Sequence, residues 1–316
     1  MTQPGRLCYI EEGDLMKKDL LSVADVSKED LEKIFKLSAK LKKERGQSDY
    51  KPLAGKSIGM IFAKASTRTR VSFEVGIHEL GGFPLYMDQG KMQVGRGESV
   101  ADTARVLSRY LHGVVIRTYS HADVEELAAE ANIPIINALT DDFHPCQILT
   151  DLFTIYEYSG RVEGIKLVYV GDGDNNMANS FILAAGLAGL ELVIAAPEKY
   201  RPNPDLMRDF PNVTWEKDPV KAVENADYIY TDVWVSMGFE DEKAERFEIL
   251  RDYQVNSKLL AAASPEVKIL HCLPAHRGEE ITDEVMDSEK SIVFDQAENR
   301  LHVQKAILAL LFDKRI

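Results

Sequence analysis

Cysteine is scarce in this chain, tryptophan scarcer still, and no apolar run is long enough to cross a bilayer. The three cysteines stand at Cys8, Cys146 and Cys272. An odd, dispersed set with no Cys-x-x-Cys pair reads as reduced thiols, not as a disulfide frame. The longest apolar run, Phe181 to Leu190, stops at Glu191, well short of the roughly 20 residues a membrane helix needs. The opening segment MTQPGRLCYIEEGDLMKK has no apolar core and carries acids early, so it does not read as a secretory signal. A soluble cytoplasmic protein is expected. Positive charge is lacking as well: 38 Lys+Arg against 51 Asp+Glu give a net charge of −13. Such a field repels polyanions, which excludes nucleic acid and anionic membranes as partners. A phosphate-bearing ligand would need a local basic pocket.

What remains is an ordinary globular balance, 45% hydrophobic and 28% charged over 316 residues, enough for about two domains. Strand-like apolar runs begin at Ser57, Gly113, Pro134, Lys166, Leu192, Tyr228, Val267 and Ile292. Helix-patterned stretches lie between them: 30–42 with Ser27 as cap, 71–80 ended by Gly81-Gly82, 102–110, 123–131, 177–186 and 220–225. Alternating strands and helices mean parallel sheets covered on both faces. Ile148, Leu152 and Ile155 repeat at helical spacing within 145–158, a helix that divides the chain nearly in half. The expected fold is therefore α/β: two doubly wound, Rossmann-like parallel-sheet domains over 1–150 and 151–300, joined by that helix. A last helix, 301–312, is apolar enough to pack back on the first domain, to which about 300–316 then belongs.

Several clusters carry chemistry. Lys64-Ala-Ser-Thr-Arg-Thr-Arg70 sits between a strand and a helix, a strand's carboxyl end where α/β sheets bind ligands. Free N–H groups at the helix start, hydroxyls from Ser66, Thr67 and Thr69 and the Arg68 guanidinium make a phosphate cradle. The plain alternative is a capped helix with solvated cations, yet cations there oppose the helix dipole. Arg117 ends another strand. His144-Pro-Cys-Gln147 opens the central helix with proline at its first position. The imidazole there should stay neutral, free to hold a carbonyl together with Gln147 or simply to cap the helix.

Gly171-Asp-Gly-Asp-Asn-Asn176 invites a dinucleotide reading and thus a nucleotide-dependent oxidoreductase. The third glycine is missing, however, and two aspartates would repel a pyrophosphate; the asparagines and acids suit a zwitterionic amino acid better. Asp232 ends a strand, a natural partner for an ammonium group, and Ser236 and Gly238 follow in a loop. His271-Cys272-Leu273-Pro274 matches no structural zinc spacing; a nucleophilic thiol is the other option. Read bare, Met92 to Ser99 is a surface turn and Arg300 a surface partner of Glu298.

Ser-Thr-Arg-Thr-Arg with a following Ser-Phe-Glu resembles the carbamoyl-phosphate loop of the aspartate/ornithine carbamoyltransferase superfamily. Asp102-Thr-Ala-Arg-Val-Leu, His144-Pro-Cys-Gln147, Asp232-Val-Trp-Val-Ser-Met-Gly238, His271-Cys-Leu-Pro274 and Ala297-Glu-Asn-Arg300 follow in the order found among its ornithine carbamoyltransferases. The likeness covers nearly the whole chain beyond the first 15 or so residues.

The resemblance implies a transferase making L-citrulline and phosphate from carbamoyl phosphate and L-ornithine, in arginine biosynthesis or in the reverse breakdown of citrulline. Amine attack through a tetrahedral intermediate needs no metal or organic cofactor. The first domain would bind carbamoyl phosphate through Ser66, Thr67, Arg68, Thr69, Arg117, His144, Gln147 and Arg300. Gln93, on a loop where Arg96 and Gly97 replace a His and a Lys of some relatives, would come from a neighbouring subunit of a homotrimer or a multiple of trimers. The second domain would bind ornithine through Asn176, Asp232, Ser236, Met237, Cys272 and the Leu273 carbonyl. Arg117, His144, Asp232 and Cys272 would carry the catalysis. The Ser-Met-Gly pattern separates this reading from a putrescine carbamoyltransferase, whose substrate has no α-carboxylate.

Overall fold

The computed structural model describes residues 18–94, 97–235 and 240–313. A first sheet holds β1 (Ser57–Phe62), β2 (Phe83–Asp88), β3 (Gly113–Arg117) and β4 (Ile135–Leu139) in the order β2-β1-β3-β4. A second holds β5 (Lys166–Val170), β6 (Glu191–Ala195), β7 (Val213–Glu216), β8 (Tyr228–Thr231) and β9 (Lys268–His271) in the order β7-β6-β5-β8-β9. All pairings in both sheets are parallel. The strand order reverses beside β1 in one sheet and beside β5 in the other. Such switch points open crevices at the strands' carboxyl ends.

The helices are α1 (Lys28–Lys43), α2 (Thr67–Glu79), α3 (Val100–Tyr110), α4 (His121–Glu130), α5 (Pro145–Ser159) and α6 (Asn176–Ala188). Short α7 (Pro204–Met207) and α8 (Pro219–Ala222) precede α9 (Lys243–Leu250), α10 (Ser257–Leu260), α11 (Asp283–Met286) and α12 (Val293–Phe312). Ser27 caps α1 as its sequence predicts, in a reciprocal capping box with Asp30. Helix α5 is buried from Pro145 through Ile155 because β4, α1, α6 and α12 all pack on it. It therefore runs inside one core that takes Ile58, Val115 and Ile136 from the first sheet and Leu167, Tyr169 and Ile194 from the second. No helix of the described residues is long and apolar enough to cross a membrane.

The last helix does return to the first half, packing on α1, α2 and α5, but it starts earlier than its periodicity suggests. Ile292-Val-Phe, read as a strand, is the beginning of α12: Ser291 makes a single bridge to Ile269 and Ile292 then caps the helix. Two strands escape a sequence reading, β2 and β7. Both lie at sheet edges, where one side needs no partner and polar or proline residues are tolerated. Pro84 sits within β2 opposite Ile58.

Candidate active site

The phosphate loop is built as its spacing implies. Ser66 is the extended N-cap of α2, its side chain bonds no helix N–H, and the first turn holds no acid. The leading N–H groups and the hydroxyls are thus available to an anion. The cations of the motif divide. Lys64 is buried, bound to Asp141 Oδ1 at 2.5 Å and set 4.2 Å above the Tyr119 ring. Arg70 lies 3.9 Å from the Tyr86 ring centre and pairs with Glu74. Among the described residues only Arg68 of the three is left without a carboxylate, so the cradle's charge from this loop is one guanidinium.

Three further groups converge on it. Arg117 ends β3 with its Nε buried and unpartnered. Burial, then the Arg300 charge and further that of Arg68, push its pKa down to about 10. Arg300, which the resemblance assigns to carbamoyl phosphate and a bare reading to a surface pair with Glu298, sits buried within α12 and not at its start. It donates from Nη1 to Gln147 Oε1 and from Nη2 to Thr69 Oγ1 at 2.9 Å. The Glu298 carboxylate lies 3.6 Å from His302 Nε2. His144 is the N-cap of α5, buried, with no cap bond from its side chain and Nδ1 unpartnered. Burial first, then Arg300 and Arg117, hold its imidazole well below its ordinary pKa, so it is neutral, as its helix-mouth position predicts.

The facing wall comes from the second sheet. Asp232, one residue beyond β8, is buried and accepts from Val233 N at 2.7 Å and from Cys272 Sγ at 2.8 Å. Burial raises its pKa, opposed by the His271 ring. The Cys272 thiol is pushed well above its usual value by burial and then by Asp232, which argues against a thiolate nucleophile. Leu273 takes a left-handed conformation (φ 59°) before a cis proline, and its N–H donates to His271 Nδ1 at 2.8 Å. Asn176 opens α6 and reaches back to the first half, donating to Thr140 O at 2.7 Å. Ser236 and Met237 lie outside the described residues. Gln93 is exposed on the loop before α3, its carbonyl accepting from Glu98 N.

Among the described residues two groups bring metal-ligating atoms close together, Asp232–His271–Cys272 and His276–Glu279–Glu280. In the first, His271 Nδ1 already accepts from Leu273 N, and Nε2 faces Glu280 Oε1 at 3.0 Å. Neither imidazole nitrogen is open to an ion. The Gly171 turn is no nucleotide site: a Cβ at Gly173 would meet Tyr200 O at 2.8 Å, and Asp172 is buried against Arg246 at 2.6 Å. Residues with no place in the sequence motifs complete the site. Asp151 accepts from Gln147 Nε2 at 2.8 Å and from Gln296 Nε2 at 2.7 Å, while Gln296 Oε1 accepts from His271 N. The sequence signal was an aspartate within the otherwise apolar stretch of α5.

Residues 18–157 match the carbamoyl-P binding domain of aspartate/ornithine carbamoyltransferase, and residues 163–311 match the Asp/Orn binding domain. The chain belongs to this family. Among its relatives, the ornithine carbamoyltransferase of Methanoculleus marisnigri is 52% identical over 301 residues, 94% of this chain and 97% of the relative. That of Syntrophus aciditrophicus is 53% identical over 302 residues, 94% of this chain and all of the relative. The solved structure of ornithine carbamoyltransferase from Pyrococcus furiosus superposes with a TM-score of 0.90 at 48% identity, covering 94% of this chain and 97% of that one. Membership of the family accounts for both wound sheets and for the return of α12.

Proposed function

We propose that the chain transfers the carbamoyl group of carbamoyl phosphate to the δ-amine of L-ornithine, releasing L-citrulline and phosphate. The observation that carries this reading is one cleft with two signs of charge. Arg68, Arg117 and Arg300 gather at the first sheet's switch point, and buried Asp232 with the half-buried Cys272 faces it from the second. On this reading residues 1–150 with α12 form the carbamoyl-phosphate half, and 151–300 the ornithine half.

The N–H groups and hydroxyls of Ser66 to Thr69, with Arg68, hold the phosphate. Arg117, Arg300 and neutral His144 surround the carbonyl oxygen, so charge developing there meets preorganised donors. Gln147 has an N–H committed to Asp151, and its Oε1, which accepts from Arg300, keeps a second lone pair able to accept from the carbamoyl NH2. Asp232 holds the ornithine α-ammonium, with Ser236 and Met237 beside it and Asn176 on the α-carboxylate; Cys272 and the Leu273 carbonyl aim the δ-amine. The amine attacks as the free base. Its lone pair forms the N–C bond, the carbonyl electrons move to oxygen, and their return breaks the bond to phosphate. The amine proton leaves with phosphate or solvent. Held this way, the reaction gains chiefly from proximity and electrostatics.

We propose further that the protein works in the cytoplasm as a homotrimer or a multiple of it. Edge strand β2 supports this, with Phe83 62%, Leu85 40% and Tyr86 39% exposed, an apolar row of the kind that marks an interface. Gln93 follows it in sequence and would complete a neighbour's cradle. Supplying carbamoyl phosphate with ornithine, putrescine or aspartate tests the reaction: citrulline should form fastest by far. Carbamoylputrescine appearing at the same rate or faster refutes it.

A further inference from the structure

We propose that Asp151 is a proton-linked counter-charge for the anion cradle: partly ionised near Arg300 at neutral pH without ligand, it takes up a proton at Oδ2 when carbamoyl phosphate lodges there. The inference rests on the carbamoyl-phosphate reading above. Its basis is a hydrogen-bonded chain that crosses the molecule. Arg300 donates to Gln147 Oε1, Gln147 Nε2 donates to Asp151 Oδ1, Gln296 Nε2 donates to the same oxygen, and His271 N donates to Gln296 Oε1. Both amides use Oδ1, while Oδ2 is buried without a partner. A proton arriving on Oδ2 therefore breaks no bond of the chain. The carboxyl can change charge without moving Gln147 or Gln296.

The groups facing Asp151 are Arg300 from α12, Tyr230 from β8 and Cys272 just past β9. Tyr230 and Cys272 are held protonated by burial, and His144 at the mouth of α5 is neutral. Asp151 is thus the group among them able to balance Arg300 by ionising. Burial pushes its pKa up to about 7, against the lowering pull of the two amides, Tyr230 and Arg300. An anion on Arg300 offsets the Arg300 part of that pull and moves the value higher, so binding draws a proton from the buffer.

Calorimetric titration with carbamoyl phosphate, in buffers of different ionisation enthalpy, reads that proton directly. With a carboxyl that titrates about pH 7, the wild-type protein should take up a measurable fraction of a proton per site at pH 7 through this group, and less at pH 6, where more of the carboxyl is already protonated. Asp151→Asn should lower the uptake at pH 7 by that amount and bind carbamoyl phosphate at least as tightly, whereas loss of a merely structural residue would weaken binding. Equal uptake in both proteins overturns the proposal. Difference infrared spectra of the wild-type protein supply the second measurement, since carbamoyl phosphate should raise a protonated-carboxyl band at neutral pH; no new band overturns the proposal even if the variant fails to fold. Absence of carbamoyl-phosphate binding altogether would instead refute the functional reading and this inference with it.

Discussion

Replacing Arg117 with methionine separates what the cradle does for the ligand from what it does to the fold. Among the described residues the Arg117 side chain donates to no partner, and its Nε is buried. Burial, Arg300 and Arg68 lower its pKa from 12.5 to about 10, so keeping it charged costs the empty protein about 3 kcal/mol. The sign follows from linkage. In the folded state the cation persists up to about pH 10, so the full cost is present at pH 7 and fades only as pH climbs beyond that value. Methionine keeps an unbranched stem of similar reach and removes the charge. In anion-poor buffer, urea unfolding followed by circular dichroism should show Arg117→Met more stable than wild type by up to about 3 kcal/mol. Carbamoyl phosphate at a hundred times its Kd should stabilise wild type by about 2.7 kcal/mol and the variant far less. The two effects have opposite signs. A variant less stable than wild type without ligand would refute the idea that this arginine is held at a cost for the sake of an anion.

The remaining predictions concern the opposite wall and the subunit edge. With Cys8 and Cys146 replaced by alanine, iodoacetamide should modify Cys272 at pH 8 at least ~10-fold more slowly than free cysteine, because the reactive thiolate is suppressed. Adding Asp232→Asn should quicken that reaction, and a wild-type rate equal to that of free cysteine would show the thiol to be ionised. Phe83→Asp should shift the sedimentation coefficient from an oligomer to a single chain, since it sets a charge in the exposed row on β2; an unchanged oligomer would remove β2 from the interface.

The sequence exposed those parts of the site whose placement is local. Ser27 and His144 occupy the N-cap positions their neighbours imply, because a cap depends on three or four consecutive residues; α2 instead begins four residues before the expected 71–80, with Ser66 at its N-cap. Arg117, Asp232 and His271 end strands or follow them by one residue, which an apolar run followed by a polar residue reveals. The sorting of Lys64, Arg68 and Arg70 was hidden: it depends on Asp141, Tyr119 and Tyr86, which only the sheet brings alongside. Arg300 was misplaced for the same reason, since its partner Thr69 is 231 positions away. The edge strands and the start of α12 were obscured where tertiary packing overrides weak local preference.

The proposed cleft also answers how a chain of net charge −13 attracts an acyl phosphate. Many of its cations elsewhere sit in ion pairs, as with Lys64 on Asp141 and Arg246 on Asp172. At the crevice beside β1 that pairing stops, and Arg68, Arg117 and Arg300 are set against one another, so an anion meets charge that the fold has left uncancelled. Across the cleft the sign reverses at Asp232, whose carboxyl is buried beside a thiol that cannot readily ionise. A phosphate on the Asp232 side and an ammonium on the Arg300 side would each face a like charge in a dry site, an error costing several kcal/mol. On the proposed reading, the polarity of the cleft fixes which substrate enters which half. It also sets the direction of amine attack before any bond is made.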